Sequence, residues 1–256
     1  MTGPHILILG GTGEARRLAE RLVALGEATV TLSLAGRTAE PRSQAGNLRS
    51  GGFGGAAGLA SYLHDNKVDL LVDATHPFAT RISTNAIAAS EATEVPLIVL
   101  ERRAWQIVPG DRWTEVADVA DAGAARGDAP LTVFLAIGRQ ELAPFRAAPQ
   151  HRYIVRSVDP VAPESQLAGA HYILERGPFD ENSERHLLTT HGIETIVAKN
   201  SGGDATYGKI AAARALGIPV VMIRRQREPF PGAAETIEDA IAQIRHAAGL
   251  GKARGE

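Results

Sequence analysis

His5-Ile6-Leu7-Ile8-Leu9 runs straight into Gly10-Gly11-Thr12-Gly13, and from Glu14 onward Ala15, Leu18, Ala19, Leu22 and Leu25 recur at helical spacing. An apolar strand, a glycine turn and an amphipathic helix in immediate succession predict a parallel α/β sheet, because a parallel strand has to be carried back by a crossover. Glycines at such a turn let the backbone bend sharply and approach a pyrophosphate, whose charge the N–H groups at the helix start then stabilise. The G-x-G-x-x-G spacing read from Gly11 and Gly13 asks for a small residue at position 16, where this chain has Arg16. Taken alone, the turn is therefore either a phosphate loop or a plain connection. Gly10, Gly11, Thr12, Gly13 and Glu14 are the residues it would offer to a cofactor.

The alternation continues. Ala28–Leu34 and Val68–Val72 read as strands with Leu59–Leu63 in the helix between them, then Phe78–Ala92 as a helix and Pro96–Leu100 as a strand. Around Glu101–Pro109 the pattern breaks into a charged and aromatic stretch, so residues 1–103 are expected as one domain and 104–256 as a second. In the second half Leu131–Ile137, Tyr153–Val155, Tyr172–Leu174, Thr195–Ala198 and Val220–Ile223 read as strands. Glu181–Thr190, Thr206–Leu216 and Ile237–Ala248 read as helices, and Gly249–Glu256 as a frayed tail. The fold class is α/β, its apolar strands implying parallel sheets covered on both faces.

Charge and composition remove several function classes. Lys plus Arg number 27 against 29 Asp plus Glu, a net charge of −2, which argues against bulk attraction to nucleic acid or an anionic membrane. Anionic ligands must then be met by local arginines. With no cysteine, disulfides, thiolate metal sites and cysteine nucleophiles are excluded, and a reducing cytoplasm suits the chain. The apolar stretch Ile6–Leu9 is too short for a signal segment, and no other stretch approaches a membrane span. No metal motif, G-x-S-x-G elbow, triphosphate loop or Tyr-x-x-x-Lys pair is present, so no metal site is expected.

Polar residues gather where strands end. After the second strand stand Ser33-Leu34-Ala35-Gly36-Arg37-Thr38, with no carboxylate to hold a ribose 2′-OH; Ser33, Arg37 and Thr38 suit a 2′-phosphate, hence NADP over NAD, unless Arg37 is only a solvated loop residue. The cluster Ser50-Gly51-Gly52-Phe53-Gly54-Gly55 either lets backbone approach the adenosine side of a cofactor through Gly52 or is a connector. In Asp73-Ala74-Thr75-His76-Pro77-Phe78, Thr75 and His76 are placed either to cap the next helix or to meet a ligand, with Asp73 beside them. Lys199-Asn200-Ser201-Gly202-Gly203 repeats that layout in the second half, with Tyr207 and Lys209 nearby, and reads as an anion and substrate site more than as a capped turn. Arginines stand at other strand ends: Arg102, Arg103, Arg156, Arg176, Arg224, Arg225 and Arg227.

The stretches Leu9–Arg16, Asp73–Ala79, Glu101-Arg102, Ile137-Gly138-Arg139, Glu175-Arg176-Gly177-Pro178-Phe179 and Lys199–Gly203 together resemble the precorrin-6A reductase family of cobalamin biosynthesis across nearly the whole chain. The resemblance implies two Rossmann-like parallel-sheet domains with the active site in the cleft between them, and makes Arg16 part of the family's own turn pattern. It implies hydride transfer from NADPH to a double bond of a tetrapyrrole polycarboxylate, giving precorrin-6B, with Arg102, Arg176, Lys199, Asn200, Ser201 and Gly202 toward the substrate. His76, Lys199, Tyr207 and bound water are the candidates for delivering the accompanying proton. A cytoplasmic location, which the absence of cysteine suits, and transient contact with neighbouring pathway enzymes are also expected. A non-catalytic NADP(H) sensor would keep the first half without needing the arginines of the second, and a two-domain glycosyltransferase is a third reading. Metal-free and cobalt-containing substrates are not separated by the sequence.

Overall fold

Alternation along one strand sets the layers of the first sheet. In β1 (His5–Leu9), Ile6 and Ile8 enter one apolar cluster, Leu7 and Leu9 enter another, and all four are buried. A strand apolar on both sides needs cover on both faces, which is what crossover helices supply. The computed structural model describes residues 3–36, 45–125 and 127–250, and the chain divides into two units: Met1–Arg102 with Arg227–Glu256, and Arg103–Gln226.

In the first unit β1, β2 (Thr29–Leu34), β3 (Asn47–Ser50), β4 (Leu70–Asp73) and β5 (Leu97–Val99) form a wholly parallel sheet in the order β3-β2-β1-β4-β5. The order reverses between β1 and β4, and such a switch point is where α/β sheets open a crevice at their carboxyl ends. Helix α1 (Gly13–Leu25) buries Ala15, Leu18, Ala19 and Leu22 on one face of the sheet and ends at Gly26, whose φ of 67° is left-handed. The other face is covered by α2 (Ala56–Asp65) and α3 (Thr80–Thr93), through Leu59, Leu63, Ala86 and Ala89.

The second unit has its own wholly parallel sheet of β6 (Trp113–Val116), β7 (Thr132–Ala136), β8 (Arg152–Ser157), β9 (His171–Leu174), β10 (Thr195–Lys199) and β11 (Val220–Ile223). Its order, β6-β11-β10-β7-β8-β9, reverses between β7 and β10. Helices α4 (Val119–Ala124), α5 (Glu181–Thr190) and α6 (Gly208–Leu216) belong to this unit, and Leu188, Ile210 and Ala213 pack with Phe134, Ile154, Ile196 and Met222.

Three expectations change. The segment from Arg227 on, expected in the second domain, groups with the first unit. Ala234 bridges Leu100 in parallel, buried Glu101 accepts from the Arg227 guanidinium and the Phe230 N–H, and α7 (Ile237–Ala247) sets Ala240 and Ile244 against the Leu18 and Leu22 face. The helix expected from Phe78 starts at Thr80, because residues 76–79 close a separate turn through the Ala79 N–H and the His76 carbonyl; that expected from Thr206 starts at Gly208. Strands β3 and β6 and helix α4 had no apolar periodicity to announce them: they are short, and Asn47, Leu48, Thr114 and Glu115 are exposed.

Candidate functional site

At the first switch point the glycine turn is fixed by Thr12. Its hydroxyl accepts the Ala15 N–H at 3.1 Å as the N-cap of α1 and donates to the Ala74 carbonyl at 2.8 Å, tying the end of β1 to the end of β4. Gly11 sits at φ 115°, and a side chain on Gly10 would lie 2.6 Å from Leu32, so each glycine has its own reason to be there. Ala15 and Arg16 N–H groups are taken by Thr12, whereas those of Gly13 and Glu14 have no acceptor among the described residues. Two adjacent donors at a helix start, with open space over Gly13, make a cradle for an anion.

The Glu14 side chain does not point into that cradle uncompensated. Its carboxylate accepts from Arg102 at 2.6 Å, both side chains being largely buried, so Arg102, expected toward the substrate, neutralises the acid of the glycine turn. A shallow recess opens between this pair and Thr12, Thr75, Pro77 and Leu100. Beside it, Asp73 accepts both the N–H of Thr75 at 3.0 Å and its hydroxyl at 2.6 Å. His76 Nδ1 accepts the Phe78 N–H at 3.3 Å, which leaves the ring proton on Nε2 in that arrangement. Neither Thr75 nor His76 caps α3, whose N-cap is Ala79 with no side-chain bond, so the capping alternative is not realised.

The end of β2 carries buried Ser33 and no acid; Arg37 and Thr38 lie outside the described residues. What the sequence reading missed is Arg49 on β3, in register with Ser33. Its guanidinium donates to Ser33 Oγ at 3.2 Å and to the carbonyls of Gly51 at 2.6 Å and Gly52 at 2.8 Å, and lies 3.7 Å over the Phe53 ring. Gly52 therefore takes part through its carbonyl. An arginine two residues before a glycine run was the available signal, but without a recognised strand nothing set its direction.

In the second unit the motif residues are strongly engaged. Lys199, at the end of β10, is ion-paired to Glu141 across the β7/β10 switch point. Asn200 uses both ends of its amide on Trp105, accepting the N–H at 2.8 Å and donating to the carbonyl at 2.9 Å. A side chain on Gly202 would stand 2.1 Å from the Arg103 carbonyl, and Arg225 donates to the carbonyls of Asn200 and Ser201. Lys199–Gly203 is thus a built turn that clamps the 103–105 segment, with Lys199 and half-buried Ser201 as its outward chemistry. The Tyr207 hydroxyl receives Arg214, whose guanidinium is held above its usual range first by its bond to Asp111 and then by Tyr207. Arg156 is buried against Glu184 and stacks 3.6 Å from Phe179, backing the loop that carries exposed Arg176.

Among the described residues no group of three or more His, Asp or Glu could hold a metal, and no helix is long and apolar enough to cross a membrane. A family model described as precorrin-6x reductase CbiJ/CobK matches residues 5–245. A precorrin-6A reductase of Sinorhizobium sp. is 54% identical over 246 residues, covering 96% of this chain and 94% of that protein. A cobalt-precorrin-6A reductase of Priestia megaterium is 29% identical, covering 92% and 96%. A solved structure of CobK precorrin-6A reductase superposes with a TM-score of 0.91 at 45% identity, over 95% of this chain and 97% of that one. With the family pattern running from β1 into α7, this chain belongs to the precorrin-6x reductase CbiJ/CobK family.

Proposed function

We propose that this chain is an NADPH-dependent precorrin-6A reductase that saturates one double bond of a tetrapyrrole polycarboxylate to give precorrin-6B. The observation that carries the reading is the open donor pair at Gly13 and Glu14, in a chain matched along nearly its whole length by a reductase family. The residues present fit a dinucleotide: the turn approaches closely at Gly11, Arg102 cancels the Glu14 charge, and the β2 end lacks the acid that would favour NAD. NADPH, when bound, supplies the hydride. The protein's part is to fix the pyrophosphate at Gly10–Glu14, to meet the 2′-phosphate with Ser33, Arg37 and Thr38, and to orient the macrocycle through Arg176, Lys199 and Ser201. His76, Lys199, Tyr207 or bound water delivers the proton to the neighbouring carbon. Greater identity to the precorrin-6A relative than to the cobalt-precorrin-6A relative favours the metal-free substrate. A cysteine-free chain of this kind suits the cytoplasm, where neighbouring pathway enzymes would hand over the labile precursor.

The test follows loss of NADPH absorbance with metal-free and cobalt-containing precursors side by side. Oxidation with the metal-free compound is expected; NADPH binding without oxidation by either compound would mark a sensor. Arg37→Ala should weaken NADPH far more than NADH, and equal losses remove Arg37 from the 2′-phosphate. For the proton, one of His76→Gln, Lys199→Met and Tyr207→Phe should lose turnover at unchanged NADPH affinity; if all three turn over normally, water is the donor.

A further inference from the structure

Leu9, Ser33 and Arg49 occupy one row across β1, β2 and β3, immediately below the glycine turn. Paired residues of parallel strands point to the same face, so Ser33 and Arg49 lie on the side of Leu9, away from α1. This is the row in which an NAD-type site would hold its acid. Here the row ends in a hydroxyl and a guanidinium.

Three neutral oxygens, Ser33 Oγ and the Gly51 and Gly52 carbonyls, hold the Arg49 guanidinium, and Phe53 supports its flat face. No carboxylate among the described residues is paired with it, so its charge is fixed in place without being cancelled. Of its five N–H groups, the three that donate to those oxygens leave the Nε–H and one Nη2–H without an acceptor among the described residues. A half-buried, immobilised cation with donors to spare is suited to a dianionic phosphate, for which it has already lost its rotamer freedom. Gly51, Gly54 and Gly55 at φ 111°, 82° and 100° shape the loop that places the two carbonyl acceptors.

We propose that Arg49 is a specificity-determining residue that reads the 2′-phosphate of the cofactor, with Ser33 as its orienting partner. The proposal rests on the NADPH reading above and adds to it a residue on β3, outside the sequence motif that carries Arg37.

The experiment measures binding of 2′-phospho-ADP-ribose and of ADP-ribose, without substrate, by calorimetry on the full chain. The wild type should prefer the phosphorylated ligand, and Arg49→Gln should lose about tenfold or more on it while ADP-ribose changes by less than about twofold. Equal losses on both ligands would make Arg49 a staple of the glycine loop and overturn the proposal. So would an unchanged preference; in that case the NADP reading survives. A wild type that binds both ligands equally defeats the NADP reading and the Arg49 assignment together. If Arg49→Gln does not fold, Arg49→Lys decides: it keeps the charge but not the fork, so a preference reduced several-fold with ADP-ribose binding retained supports the assignment, and an undiminished preference sinks it.

Discussion

At the switch point of the first sheet, the ends of β1 and β4 are joined by a neutral bond from Thr12 to the Ala74 carbonyl, and the Gly13 and Glu14 N–H groups beside it have no acceptor among the described residues. At the switch point of the second, the chain beyond β7 and the end of β10 are joined by the ion pair of Glu141 with Lys199. The contrast extends outward. In the second unit Arg156 faces Glu184, Arg214 faces Asp111 and Arg139 faces Asp159. Around the first turn Arg102 is paired with Glu14 in the same way, so the contrast lies in the donors: an anion at Gly13 and Glu14 would meet backbone N–H groups with no acceptor among the described residues, whereas one at Lys199 would compete with Glu141. Counting strand-end arginines overstates the positive charge of the second unit, because internal acids pair with several of them.

The largest expected effect tests whether these pairs hold the second unit together. Arg156→Met leaves Glu184 buried without its partner and should destabilise by about 3–5 kcal/mol in urea unfolding, most of it recovered by adding Glu184→Leu. A loss below about 1 kcal/mol would put the pair in the class of surface bridges and dissolve the contrast. Next, Asn200→Ala removes both bonds to Trp105 and should cost about 2 kcal/mol while the substrate KM moves by less than about twofold. A raised KM at unchanged stability would return Asn200 to the substrate side. In the first unit, Gly11→Ala strains a residue at φ 115° and should weaken NADPH about tenfold, measured by titration, with the substrate KM unaffected. Smallest is Glu141→Gln, which releases Lys199 and should lower the substrate KM about threefold to fivefold, while Lys199→Ala raises it. Shifts of the same sign in both would mean that the pair acts only as a structural clasp.

Much of the fold was legible because most of the strands are apolar runs and several helices have one apolar face; β1, β4, α1 and α7 declare themselves in this way. Strand β3 does not, since Asn47-Leu48-Arg49-Ser50 is an edge strand with little to bury, and missing it hid the partnership of Arg49 with Ser33. The return of the chain to the first unit was invisible for another reason: α7 has the periodicity of any amphipathic helix, and nothing in its sequence says which core it completes. In the site, the glycine turn and the acid-free β2 end were read from residue type alone. The roles of Glu14, Arg102 and Asn200 were not, because each is settled by a partner far away in the chain.

The placement of α7 also dictates a sequence of events during synthesis. Ala240 and Ile244 complete the core that Leu18, Leu22 and Ile98 begin, yet the whole of Arg103–Gln226 leaves the ribosome before them. The inserted middle unit can close its sheet while the amino-terminal one still shows an uncovered apolar face, reversing the usual amino-to-carboxyl order of domain completion. The nascent chain therefore carries the core of its first unit unfinished until α7 emerges.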